Sequence, residues 1–196
     1  MNYELHLGDN REVLRSMPSD SVDSIVCDPP YELGFMGKKW DASGIAYDVT
    51  LWAECLRVLK PGGHLLAFGG TRTYHRMTVA IEDAGFEIRE SIAWIYSTGF
   101  PKSHNLHGEH QGWGTALKPA HEPIVVARKP LQGTVADNVT TWGVGALNID
   151  GCRVGTHQTV TNIKDLSEAH GNQFGKLEAM QKLRYRDWET DRKSVV

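Results

Sequence analysis

Cysteine is scarce: Cys27, Cys55 and Cys152 are the whole supply in 196 residues. Three scattered thiols exclude a disulfide framework and a zinc ribbon, both of which need paired, closely spaced ligands. Cys27 and Cys55 sit inside apolar runs, where a thiol serves as a small hydrophobe. Long hydrophobic runs are missing too, and no window approaches the ~18 apolar residues of a membrane span. The opening residues, MNYELH, lack the basic-then-apolar plan of a secretion signal. A cytoplasmic protein with no membrane partner is therefore expected. Excess positive charge is absent as well: 21 Lys+Arg against 24 Asp+Glu give a formal net charge of -3. That balance excludes a histone-like binder, so any nucleic-acid contact has to come from a local patch. What remains, 40% hydrophobic and 23% charged residues without internal repeats, is the composition of a globular chain with a buried core.

The order of elements is legible from period and punctuation. Residues 3–7 read as a short strand, and Asn10 is placed to cap a helix that Pro18 stops. Residues 21–28 (SVDSIVCD) carry a nearly unbroken apolar run, which suits a strand covered on both faces. Residues 32–47 read as a long loop. Residues 48–60 form the clearest helix, with Leu51, Trp52, Cys55, Leu56 and Leu59 on one face, and Pro61-Gly62-Gly63 is expected to end it. Strands follow at 64–68, within 86–96 and at 123–129, with a helix over 71–84 closed by Gly85. Beyond Pro130 the pattern weakens. Strands alternating with helices predict a doubly wound α/β sheet.

The strongest chemical signal is Asp28-Pro29-Pro30-Tyr31, directly after a strand. Doubly wound sheets bind ligands in the crevice beyond their strand ends. Two prolines fix φ and remove backbone donors, so the carboxylate and the ring sit in a stiff turn. An acid beside an aromatic ring suits a planar heterocycle bearing an amino group. The ring stacks on the flat face, and the carboxylate accepts from the amine. A plain proline-rich turn is the competing reading of the bare tetrapeptide.

In this context the chain resembles the DNA methyltransferases that modify N6 of adenine or N4 of cytosine, in their phage and prophage form. Leu7-Gly8-Asp9-Asn10 and Ser21-Val22-Asp23 precede Asp28-Pro29-Pro30-Tyr31 at the family's spacing. Leu56-Arg57-Val58-Leu59-Lys60-Pro61-Gly62-Gly63, Thr98-Gly99-Phe100-Pro101-Lys102-Ser103, Leu117-Lys118-Pro119-Ala120-His121-Glu122-Pro123 and Leu147-Asn148-Ile149-Asp150-Gly151-Cys152 follow in the family's order, covering about residues 3–155. The resemblance implies a Rossmann-like sheet dependent on S-adenosylmethionine, and double-stranded DNA as partner with the target base swung out of the helix. Asp28, Pro29, Pro30 and Tyr31 would be catalytic. Asp9, Asp28 and Pro29 would touch the cofactor, and Lys38, Lys39 and Lys102 would touch DNA phosphates. Adenine N6 is the favoured target. The resemblance implies no metal, and it leaves open whether a restriction endonuclease accompanies the enzyme.

Each assignment has a plainer rival. Asp9 also suits a helix N-terminal acid. The lysines also suit solvated surface. Phe68-Gly69-Gly70-Thr71 looks like a cofactor glycine loop, but the family's order makes it the turn after the neighbouring strand. His104, His107, His110 and His121 lack partner carboxylates or thiolates for zinc, and His121-Glu122-Pro123 reads as the lead-in to a core strand. The family's Phe-x-Gly-x-Gly loop and its Lys-Pro segment do not occur after residue 155. The chain is thus expected to be truncated at its C-terminal end, with its sheet incomplete and this fragment inactive alone. The expected division is a catalytic domain over 1–130, the start of a target-recognition region over 131–160, and a tail over 161–196. Residues 191–196 back-translate into a sequencing-adapter sequence, so the tail from about 185 is expected to be foreign to the gene. An inactive DNA-binding fragment, or an N-methyltransferase acting on RNA or a protein amide, are the alternatives.

Overall fold

The computed structural model describes residues 3–34, 39–99, 103–152 and 154. The chain divides into two compact units, Met1–Leu147 and Asn148–Val196. In the second, the described residues form a single 3-10 turn, Asp150–Cys152, where Gly151 N–H donates to Asn148 Oδ1 at 2.9 Å. Everything else concerns the first unit.

Its elements are α1 (Asn10–Ser16), β1 (Val22–Cys27), α2 (Val49–Val58), β2 (Leu59–Phe68), α3 (Tyr74–Asp83), β3 (Glu87–Ile95), β4 (His121–Arg128) and α4 (Val135–Trp142). The four strands form one sheet in the order β1-β2-β4-β3. β1 and β2 are parallel, while β4 runs antiparallel to both β2 and β3. Three strands thus point one way, linked through α2 and α3, and the last is slotted in backwards. The strand–helix–strand crossovers of a Rossmann-like sheet are present, in an incomplete sheet that is mixed rather than parallel.

The apolar face of α2 explains the core. Trp52 and Cys55 of α2, with Met77, Ala80 and Ile81 of α3, pack on Leu65, Ala67, Val125 and Ala127 from one face of the sheet. Burying side chains of this size is worth about 1.5–3 kcal/mol each. Register puts Val26, Leu66 and Val126 across the opposite face, with Phe68, Ile124 and Ile92 one rung on. There Val26 is 66% exposed and Trp94 59%. Cover on both faces was expected for the β1 run; β1 is packed on the face that α2 and α3 share, while on the other face burial is confined to the middle of the sheet, at Ile124 and Val126 of β4.

Other expectations change too. Residues 3–7 are extended but join no strand, and Tyr3, Leu5 and Leu7 are exposed. An alternating pattern needs a neighbouring edge to pair with, and among the described residues none pairs with them. The cap of α1 is Asp9 rather than Asn10: its carboxylate accepts from Arg11 N–H at 2.8 Å. Pro61-Gly62-Gly63 does not end α2, since β2 begins at Leu59 and carries these residues as an irregularity, the pairing jumping from Val22–Leu59 to Ser24–His64. Gly62 has φ of 78° and abuts Asn138, which explains the glycine. Gly85 does close α3, with φ of 104°.

The segment after Pro130 folds into α4, which starts on a capping box of Thr134 and Asp137 and stops at Gly143 in the left-handed region. Asn138 fastens it down. Wholly buried, it donates to the carbonyls of Pro61 (2.9 Å) and Val144 (2.7 Å) and accepts from Gln132 N–H (2.9 Å).

Candidate active site

The three co-directional strands end at one rim, and β4 begins there. That rim collects Asp28 after β1, Gly69 and Gly70 after β2, Tyr96 after β3 and Glu122 in β4. Neither Pro29 nor Pro30 can extend a ladder, so the chain leaves the sheet at once. After Tyr31, Glu32 takes a φ of 56°, unusual for a non-glycine residue and a local strain of about 1–3 kcal/mol. Ser43 Oγ donates to its carboxylate at 3.1 Å. The returning loop is pinned farther on by buried Trp52, whose Nε1–H donates to the Ala46 carbonyl at 3.0 Å.

Tyr31 is held on three sides. Its hydroxyl donates to Glu122 Oε2 at 3.0 Å. Its carbonyl accepts from Thr73 Oγ1 at 2.6 Å. Its ring lies against Gly70, where a Cβ would stand 3.2 Å from Tyr31 Cδ2. Partial burial, then the hydrogen bond to Glu122 and the charges of Asp28 and Glu122, drive the phenol's pKa far above its ordinary value. Tyr31 is therefore a neutral donor at any physiological pH. Tyr96 shares this environment, raised first by desolvation and then by Glu122.

Asp28, Pro29 and Pro30 also border a cavity of about 470 Å³ between α1, β1 and α2. Asn10 and Asp28 supply polar groups among apolar walls that include Val13, Ile25, Trp52 and Cys55. Burial, with Cys55 and Asp28 close by, pushes the Cys27 thiol up to about 12.

The structure brings Asp28, Pro29, Pro30 and Tyr31 together. Asp9 spends a carboxylate oxygen on its helix cap and does not line that cavity. Lys39 is exposed at the start of a 3-10 turn, Lys39–Ala42. Lys38, Lys102 and the tail lie outside the described residues. No group of His, Cys, Asp and Glu among the described residues could hold a metal ion. Sequence reasoning did not assign Glu122, Thr73 or Gly70 to the site. The one signal for Glu122 was an acid at the head of a core strand, which reaches the rim only because that strand is antiparallel.

Parallel strands with one antiparallel strand wedged between the last two, and an acid–proline–proline–tyrosine turn at their rim, define an incomplete Rossmann-like methyltransferase sheet. A family model described as DNA methylase, of the N6/N4 type, matches residues 22–183. The chain belongs to this amino-methylating DNA methyltransferase family. Among curated relatives, the type II methyltransferase M.HindIII of Haemophilus influenzae is 33% identical over 51% of this chain and 38% of its own length. M.HinfI, also from Haemophilus influenzae, is 29% identical over 68% of this chain and 40% of its own. The chain thus spans about two fifths of the length of these relatives. Among solved structures, a DNA modification methylase of Thermus thermophilus, TTHA0409, complexed with S-adenosyl-L-methionine, is 27% identical with a TM-score of 0.49, covering 71% of this chain and 59% of that one.

Proposed function

We propose that the protein transfers a methyl group from S-adenosylmethionine to the exocyclic amine of a flipped-out base in duplex DNA, adenine N6 in preference to cytosine N4. The observation that carries this reading is the side-by-side placement of the Asp28 carboxylate and the Tyr31 ring at the carboxyl rim of the sheet. An exocyclic amine is a poor nucleophile because its lone pair is delocalised into the ring. A carboxylate and a proline carbonyl accepting its N–H bonds favour the pyramidal nitrogen and the positive charge that grows on it, and the acceptors are already in place. Stacking on Tyr31 returns about 1–3 kcal/mol of what the base loses on leaving the duplex.

When bound, S-adenosylmethionine supplies an electrophilic methyl group on a sulfonium. The described residues suit the reacting end of such a donor: Asp28, Pro29 and Pro30 border an apolar cavity with few polar groups. Asp9 and Lys38, Lys39 and Lys102 keep their proposed roles toward donor and phosphates. The proposed division is a catalytic domain over 1–130 with target recognition beginning within 131–160. The Asn138 clamp on Pro61 and Val144 gives the start of that segment a fixed footing on the sheet.

The test is Asp28→Ala in the complete protein, with mixed-sequence duplex DNA and S-adenosylmethionine, read by nucleoside mass spectrometry. Transfer should fall at least about 100-fold, in line with removal of one preorganised partner of developing charge, while DNA binding and fold persist. Wild-type turnover in the variant would remove Asp28 from the mechanism, and methylcytosine as the product would overturn the adenine preference.

A further inference from the structure

The base-facing ring is not simply presented by the proline turn; it is gripped. We propose that Glu122, with Thr73 and Gly70, forms a cradle that fixes the plane of the Tyr31 ring, and that Glu122 is a positioning residue for base stacking. The proposal rests on the reading of Tyr31 given above.

Three contacts from separate elements converge. Glu122 Oε2 accepts the phenol hydrogen bond at 3.0 Å from the head of β4. Thr73, just before α3, donates to the Tyr31 carbonyl at 2.6 Å, fixing the backbone from which the ring springs. Gly70, in the turn after β2, leaves room for the ring: an added Cβ would meet Tyr31 Cδ2 at 3.2 Å and Cβ at 3.4 Å. A tyrosine has two main side-chain torsions. With its hydroxyl, its carbonyl and one ring edge held, neither is free to turn.

The phenol hydroxyl is engaged by Glu122 with the Asp28 carboxylate close by, so what Tyr31 offers a base is its π-face. Holding the ring in advance means less rotational freedom is lost when a base arrives, and small misplacements near the reacting atoms cost rate steeply.

Two measurements test this, one independent of catalysis. In the 196-residue chain labelled with ζ-¹³C tyrosine, the Tyr31 resonance (assigned with Tyr31→Phe) should show no titration in the range of ordinary tyrosines. In Glu122→Gln it should begin to titrate at lower pH, since the carboxylate charge is gone and the amide oxygen still accepts. Asp28 faces the same phenol and Tyr96 faces Glu122; both stay in both proteins, so the difference isolates the Glu122 charge. An unchanged titration would overturn the contact whatever the protein's activity.

In the complete protein, Glu122→Ala should lower kcat for methyl transfer about 10- to 100-fold with little change in KM for DNA, and Glu122→Gln should recover most of it. Gly70→Ala, at a backbone any residue can adopt, should lower kcat without lowering Tm. In a Tyr31→Phe background Glu122→Ala should add almost nothing, because the partner hydroxyl is already gone. Full additivity, or wild-type kcat in Glu122→Ala, would overturn the proposal while leaving Asp28 and Tyr31 in their roles. If wild type transfers no methyl group, the functional reading fails, and the titration still decides the cradle.

Discussion

At the scale of single residues, the rim is a study in how neighbours set chemistry. Asp28 lies in the most legible motif of the sequence, and both its type and its place at a strand end are read directly from residues 22–31. Glu122 was not legible as a site residue. Nothing in residues 121–123 announces which end of the sheet they will occupy; that depends on the direction of β4. Cys27 shows the opposite case, where a plain reading as a small hydrophobe is what the structure gives. Its thiol is raised to about 12 and that of Cys55 to about 11, both chiefly by burial, whereas Cys152 is exposed. Thiolate is the reactive form, and raised values keep it scarce at neutral pH. At pH 8 a disulfide-exchange reagent should therefore modify Cys152 rapidly and leave Cys27 and Cys55 protected until the fold is opened with denaturant. Three equally fast thiols in the native protein would contradict this packing.

Among the elements, what could be read from sequence was what period dictates. α2 and α3 carry apolar residues at three- and four-residue steps and came out within a few residues of their observed ends. α4 escaped although Val135, Val139 and Trp142 fall at helical spacing, because the segment is short and only Asn138 on it is buried. Thr134 and Asp137 as a capping box, with Gly143 as the stop, were the available signals. Its stability resides instead in a polar anchor. Asn138→Leu would leave two carbonyls and one N–H without their partner in a dry site, each such loss costing about 1–3 kcal/mol before relaxation. Thermal or denaturant unfolding should show the variant destabilised by about 2–4 kcal/mol. Asn138→Asp should be at least as damaging, since it aims a carboxylate at the carbonyls of Pro61 and Val144. A neutral result in both would mean that α4 is held by something other than this clamp.

For the molecule as a whole, the sheet has one packed face and one half-open face. The sequence showed β1 as an apolar run but not that α2 and α3 would share one side of the sheet. β1 stands at one end of the sheet order, and Val26 projects from it 66% exposed. An edge strand whose C-terminal half, Ile25 to Cys27, is apolar and carries no charge is a template for unwanted pairing. The 196-residue chain should thus self-associate at micromolar concentration, and Val26→Lys should shift it toward monomer in sedimentation velocity without lowering Tm. A wild-type chain that stays monomeric, or a lysine variant that unfolds, would show that this face is covered after all.

The junction between β3 and β4 carries a different lesson. Ile95 pairs with His121, and Tyr96 N–H donates to the Ala120 carbonyl at 2.9 Å, so residues 96–120 depart and return through neighbouring rungs of one ladder. Their length is invisible to the rungs that hold Glu122 in register. That excursion can therefore be lengthened, shortened or exchanged with the ladder beneath it keeping its alignment.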